Sequence, residues 1–300
     1  MSFLIAVGTI LIVLIMLAAL VLAIPPVRNG LHAYIYGRWT DKYVAFLRNK
    51  WGPQTHGLGR GWLANRYHGK VLTPEQAAAI VSLDHDIAEQ EIEQIIPYPL
   101  ARKILLNGPP DITVYECACR ASKAVHCEPS QVCMVIGQPY ADFVLKHHPG
   151  KSRRLNQNEA LKLLEDEHKR GHLHSAWFKD AMGGRFYCIC NCCSCCCGGI
   201  EAMTEYGSPL MVSSGFVAKI DSTVCAACGK CETACPFNAI SGCSTAHETK
   251  QRDFKQAGGY VVDTDRCMGC EVCETACAKN AISFARDYSK PEPLDVRLLH

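Results

Sequence analysis

The sequence predicts an α+β protein in three parts: a single N-terminal transmembrane helix, a mixed α/β cysteine-rich middle domain, and a C-terminal module built on a βαββαβ-like repeat. Three observations carry that expectation. Residues Phe3 to Ile24 are apolar and uncharged throughout, the 300-residue chain holds 20 cysteines, and the pattern Cys-x2-Cys-x2-Cys-x3-Cys occurs twice near its end. The expected divisions are a transmembrane helix over 1–26, an amphipathic juxtamembrane segment over 27–54, a cysteine-rich metal domain over 55–214 and the repeat module over 215–300.

The apolar run is long enough for a bilayer core of about 30 Å. Pro25 and Pro26 stop it. Arg28, Arg38, Lys42, Arg48 and Lys50 follow, while only Met1 and Ser2 precede. The positive-inside bias then implies a single-pass protein of the inner membrane with its bulk in the cytoplasm. A cleaved signal peptide lacks support because no charged n-region leads the run. A reducing cytoplasm also favours metal ligation over disulfides for so many thiols. Tyr34, Tyr36, Trp39, Tyr43 and Trp51 alternate with the basic residues, as in a helix lying among lipid headgroups or one packed on a domain.

Formal charge is +2, with 20% charged and 48% hydrophobic residues, which points to neither a nucleic-acid partner nor disorder. The chain beyond the apolar run exceeds what one small repeat module needs, so a second domain is expected.

That middle domain carries two cysteine groups. One is Cys117, Cys119, Cys127 and Cys133; the other runs from Cys188 through Cys190, Cys192, Cys193, Cys195 and Cys196 to Cys197. If Phe186 to Cys192 is extended, Cys188, Cys190 and Cys192 share one face. Thr73-Pro74-Glu75-Gln76 supplies an N-cap, a proline at the first helical position and a capping-box glutamine, predicting a helix through about Ile96. Asn158 to Leu164 opens a second helix, which Gly171 closes. Crowded thiolates repel unless a metal neutralises them, so one or two further iron-sulfur clusters are expected here, with zinc or free thiols as alternatives. Spacing leaves the ligand sets open. Cys117, Cys119, Cys127 and Cys133 form one candidate set and Cys192, Cys193, Cys196 and Cys197 another; mixed sets, or one centre with more than four thiolates, satisfy the spacing equally. His126, His172 and His174 lie close in sequence to these groups, and Arg120 offers a positive charge that tunes a nearby centre.

The repeat comprises Cys225, Cys228, Cys231 and Cys235 followed by Pro236, then Cys267, Cys270, Cys273 and Cys277 followed by Ala278. Three cysteines at intervals of three can meet three corners of one cubane, while the fourth reaches a second. Asn238-Ala239-Ile240-Ser241 recurs as Asn280-Ala281-Ile282-Ser283 at the same interval, which marks a duplication. Phe216–Ile220 and Tyr260–Val262 read as strands entering each loop. A polar insertion from about Thr245 to Gly258 separates the halves.

On these residues the stretch from about 215 to 288 resembles the bacterial two-[4Fe-4S] ferredoxin family. The resemblance implies one cluster on Cys225, Cys228, Cys231 and Cys277, and another on Cys267, Cys270, Cys273 and Cys235. Ala278 departs from the family's usual proline without removing a ligand. Cys117 to Arg120, Glu159 to Leu161, Gly171 to His174 and Asn191 to Cys197 resemble blocks found upstream of such modules in a group of anaerobe ferredoxin-like proteins, a likeness that implies architecture rather than a reaction.

No dinucleotide fingerprint, P-loop, haem-attachment motif or nucleophile-base constellation stands out, so no nicotinamide or flavin site is evident. The expected function is membrane-anchored electron transfer: single electrons pass through [4Fe-4S] clusters between a cytoplasmic protein partner and a membrane-associated oxidoreductase. Two alternatives remain, an iron-sulfur reductase with a substrate-binding cluster in the middle domain, and a redox sensor or cluster-assembly factor.

Overall fold

A computed structural model describes residues 24–51, 58–242 and 259–300, together with Val7, Ile12, Val13, Met16 and Leu20. The expected transmembrane helix is not supported, because among the described residues no helix is long and apolar enough to cross a membrane. Most of Phe3–Ile24 lies outside the described residues. The next helix, α1 (Pro25–Arg38), has 14 residues, about 21 Å at 1.5 Å each, and carries Arg28 and Arg38 where a bilayer demands an unbroken apolar run. The described fold is therefore mixed α/β with no such span among the described residues, and the single-pass inner-membrane placement is corrected with it.

Helix α1 and the short α2 (Thr40–Phe46) pack on the middle domain. Tyr36, Thr40 and Val44 are buried, and the hydroxyls of Tyr36 and Tyr187 meet at 2.7 Å. Lys179 Nζ sits beneath three rings, 4.8 Å from Tyr36, 5.1 Å from Tyr43 and 4.9 Å from Tyr67. Burial pulls its pKa down to about 8, and the ring faces offset part of that desolvation.

The middle domain follows as α3 (Leu58–Arg66), β1 (Tyr67–Leu72), α4 (Pro74–Val81), β2 (Ile87–Glu91), β3 (Lys103–Leu106), β4 (Ile112–Glu116), α5 (Ala118–Ala121), β5 (Gln131–Ile136), α6 (Tyr140–His147), β6 (Ser152–Leu155), α7 (Gln157–Lys169), β7 (Leu173–Lys179), β8 (Arg185–Cys192), α8 (Gly198–Thr204) and β9 (Met211–Val212). Among the described residues these strands form a nine-stranded sheet in the order β6-β4-β5-β8-β7-β1-β9, with β3 beside β8 and β2 beside β3. The capping box of Thr73 and Gln76 starts α4. That helix ends at Ser82 rather than Ile96, because the polar run Asp84-His85-Asp86 turns the chain and Asp86 accepts the Gly108 amide at 3.0 Å. Helix α7 is capped by Asn156 and Glu159, and Gly171 at φ +78° follows it, the left-handed geometry that glycine adopts at least cost.

The sheet's two faces build two cores. Ile112, Val114, Met134, Ile136, Phe178, Phe186 and Ile189 face α4 and α7. Tyr115, Cys133, Val135, Trp177, Tyr187, Cys188 and Cys192 face the other way. The β7–β8 register shifts between Trp177, opposite Cys188, and Phe178, opposite Phe186. This bulge gives Tyr187 and Cys188 the same face, which strict alternation forbids.

The C-terminal module comprises β10 (Phe216–Ile220), α9 (Lys230–Ala234), β11 (Ile240–Gly242), β12 (Tyr260–Val262), α10 (Val272–Thr275) and β13 (Ile282–Arg286). Strand β10 pairs with β13 and β11 with β12, both antiparallel. The duplication extends to the backbone. Positive φ values at Ala227 (51°), Gly229 (75°) and Asn238 (51°) recur at Gly269 (62°), Glu271 (64°) and Asn280 (50°), the interval that separates Cys225 from Cys267. The expected insertion lies outside the described residues. The tail then returns to the first core, burying Leu294 and Val296, while Lys70 Nζ donates to the Glu292 carbonyl at 2.7 Å.

Candidate metal centres

Thiols collect at the corner where the β4–β5 connection crosses the end of β8. The Cys127, Cys193, Cys195 and Cys196 sulfurs all lie within 4.8 Å of one another, with Cys127 Sγ 3.0, 3.3 and 3.5 Å from the other three in that order. A tetrahedral ion with bonds of about 2.3 Å spaces its sulfurs about 3.8 Å apart, so the group fits a tetrathiolate site. An all-sulfur donor set selects iron-sulfur centres or zinc over hard cations.

A second group lies deeper. The Cys117 thiol contacts Cys119 and Cys133, and Cys197 contacts Cys119 and Cys192. Cys190 contacts Cys133, Cys188 and Cys192. Cys133 comes from β5 and Cys190 and Cys192 from β8; Cys117 and Cys197 precede α5 and α8. The pairing of Met134 with Ile189 and of Val135 with Cys188 carries Cys133 opposite Cys190.

Four thiols in this group are held well above the ordinary range: Cys117, Cys192 and Cys197 first by hydrogen bonds to neighbouring thiols and also by burial, and Cys133, against the opposing contact with Cys117, by Cys190 and burial. Cys119 moves the other way because Cys117 and Cys197 both donate toward it, and the Gly198 amide adds a further donor. Such a set gives up its protons together only to a cation.

Two arginines brace both groups. Arg48 Nε bonds Glu201 at 2.9 Å, and its Nη1 donates to Ser122 Oγ at 2.6 Å and to Cys119 O at 3.1 Å. Its Nη2 donates to Cys196 O. Fully buried Arg120 pairs with Glu167 at 3.1 Å and donates to Asn191 O at 3.3 Å and to Pro129 O. Burial works against its charge, yet Cys193, Cys117 and Glu167 hold its pKa above the usual value.

The eight thiols singled out from the middle-domain sequence are thus sorted differently from their order in the chain. Cys127, Cys193 and Cys196 meet in the first group, joined by Cys195; Cys117, Cys119, Cys133, Cys192 and Cys197 meet in the second, joined by Cys190. The alternation of β8 already pointed to Cys190, whereas nothing in the spacing distinguished Cys195. Histidines stay apart: His172 Nδ1 meets Glu167 at 2.7 Å, His174 Nδ1 meets Asn191 at 2.6 Å, and His126 lies 3.4 Å from Glu128.

In the C-terminal module Cys225, Cys228, Cys231 and Cys277 line one cavity of about 170 Å³. Cys267, Cys270 and Cys273 lie within electrostatic reach of Cys235. Burial pushes Cys270 up to about 12. Backbone amides point at the sulfurs in matched pairs: Ala239 to Cys235 and Ala281 to Cys277, both at 3.3 Å. Ala227 to Cys225 and Ala218 to Cys267 each measure 3.4 Å. Cavity, crossed thiols and aimed donors all fit clusters held by four thiolates.

Comparison with curated proteins finds no match. Residues 224–281 match the family model described as a 4Fe-4S dicluster domain. The C-terminal part of this chain is accordingly a ferredoxin-like iron-sulfur module that binds 4Fe-4S.

Proposed function

We propose that this chain is an iron-sulfur electron-transfer protein that passes single electrons between a protein redox partner and an oxidoreductase. Residues 215–300 form its ferredoxin domain, and residues 55–214 a metal domain that works with it. The observation that carries the reading is the crossed set of thiols, Cys225, Cys228, Cys231 and Cys277, around one cavity inside the matched dicluster segment. Bound clusters supply one-electron oxidation and reduction. In this reading Cys235, Cys267, Cys270 and Cys273 hold the second cluster, and Cys127, Cys193, Cys195 and Cys196 hold a middle-domain centre.

The chain's own residues set how each site behaves. Cys228 is exposed, and exposed Lys230 and Lys279 line the same cavity, so a partner approaches there. Cys270 is buried with Met268, Val272 and Phe237 against the thiol-bearing face of the middle domain. Water is thereby kept from the inner set, and solvent exposure is one of the levers that set a cluster's potential. The exposed Cys195 offers a second approach on the metal domain.

Titration of the anaerobic full-length chain with a reduced viologen dye tests this. The expected uptake is about one electron per cluster, reversible on reoxidation, and slowed in Cys228→Ser. Absence of any electron uptake by iron-loaded protein would remove the proposal.

A further inference from the structure

We propose that Cys117, Cys119, Cys133, Cys190, Cys192 and Cys197 form a separate metal site, built for an iron-sulfur centre that takes more than four thiolates. The inference rests on the iron-sulfur reading above and deepens it. Contacts between these thiols close into one circuit: Cys117 to Cys119, on to Cys197, Cys192, Cys190 and Cys133, and back to Cys117. Members of the circuit come from β5, β8 and the chain entering α5 and α8, so tertiary folding assembles it.

A cavity adjoins the circuit. All six sulfur-bearing residues line one cavity of about 100 Å³, together with Arg48, Arg120 and Cys193, whose sulfur lies 3.0 Å from Cys127 in the four-thiol group. Cys188 is equally buried, and its sulfur lies 3.7 Å from Cys190. It does not line that cavity. The six are set apart by closing on one another while lining the cavity: Cys188 touches the circuit without lining the cavity, and Cys193 lines it while its sulfur joins the other group.

Nuclearity follows from counting donors. A cubane binds four thiolates, which leaves two of the six facing the same cavity with no metal. Their protein partners beyond the circuit are few: Ser175 Oγ lies 3.5 Å from Cys192, the Gly198 amide lies 3.4 Å from Cys119, and Cys188 Sγ lies 3.7 Å from Cys190. The two guanidinium groups meanwhile supply positive charge of the kind a thiolate-rich centre requires.

The site is also joined to its four-thiol neighbour through the chain. Cys192 and Cys193 are adjacent residues whose sulfurs go to different groups, and so are Cys196 and Cys197. Two dipeptides thus bridge two centres covalently.

The test uses full-length protein, anaerobically reconstituted with iron and sulfide, studied by iron counting and Mössbauer spectroscopy. Each of the six Cys→Ser variants is expected to alter one shared spectral species. Cys188→Ser and Cys195→Ser should leave that species intact. A ferredoxin-module signal retained in each variant shows that it folds, since that module packs on this face. Sensitivity to only four of the six would overturn the claim of more than four thiolates, and sensitivity to none would remove the site. Loss of the ferredoxin-module signals from the unaltered protein would instead sink the electron-transfer reading, whatever the six variants show.

Discussion

Arg120 shows how one residue organises this protein. It is fully buried, pairs with a fully buried Glu167, and reaches the carbonyls of Pro129 and Asn191, one near each cysteine block. Removing one partner of a buried pair costs about 3–5 kcal/mol when the other charge is left uncompensated, whereas Glu167 keeps His172 at 2.7 Å and Arg170 at 2.8 Å. Arg120→Met should therefore lose up to about that much in a denaturant titration, and Arg120→Met with Glu167→Leu should regain part of it. Equal stability of single and double variants would contradict the pairing. His68 makes a second residue-scale prediction. Burial pulls its pKa down to about 4, and its Nδ1 lies 2.7 Å from the Ala64 carbonyl. The unfolded histidine takes a proton near pH 6.5 while the folded one does not, so stability held above about 6.5 is lost as pH falls toward 4. Between pH 7 and 5 this amounts to about 2 kcal/mol. Denaturant titrations at the two values should show the loss, and His68→Asn should remove its share, leaving that of His174, which burial also pulls down to about 4.

Elements with strong local signals were legible from sequence. The Thr73–Gln76 capping box forms as expected, and Thr73→Ala should cost about 1 kcal/mol, read as a shift in the thermal midpoint. The helix expected through about Ile96 stops at Val81 instead, because Ile87 enters β2 and pairs with Leu106 on β3; tertiary pairing outweighs local periodicity there. Strand β8 was read correctly as presenting Cys188, Cys190 and Cys192 together. Its bulge at Tyr187 was not readable, since a register shift depends on the partner strand. The sorting of thiols was hidden for a similar reason: Cys192 and Cys193 adjoin in sequence but face different groups, and only the β4–β5 connection folding over them decides which.

At the scale of the whole molecule, the two parts are interlocked rather than strung together. Phe237, Met268 and Cys270 pack beside Cys192 and Cys197, while the tail beyond β13 buries Leu294 and Val296 among α4 and the sheet. The repeat leads to an expected boundary near residue 215; the returning tail has no such signal, because its few apolar residues carry no period. Leu294→Ala should cost about 2–5 kcal/mol, and a single cooperative transition should move both modules, followed by cluster absorbance and by far-ultraviolet dichroism. Two transitions shifting independently would contradict the interlock. The apolar run at the start of the chain suggested a membrane span, and that expectation has no counterpart among the described helices.

Metal analysis of full-length protein purified without oxygen reaches the central claim most directly, combined with electron paramagnetic resonance before and after chemical reduction. The account predicts iron and inorganic sulfide in near-equal amounts, at least about 8 of each per chain for two cubanes, and paramagnetic signals that appear on reduction and vanish on reoxidation. Colourless protein carrying zinc in place of iron would contradict it.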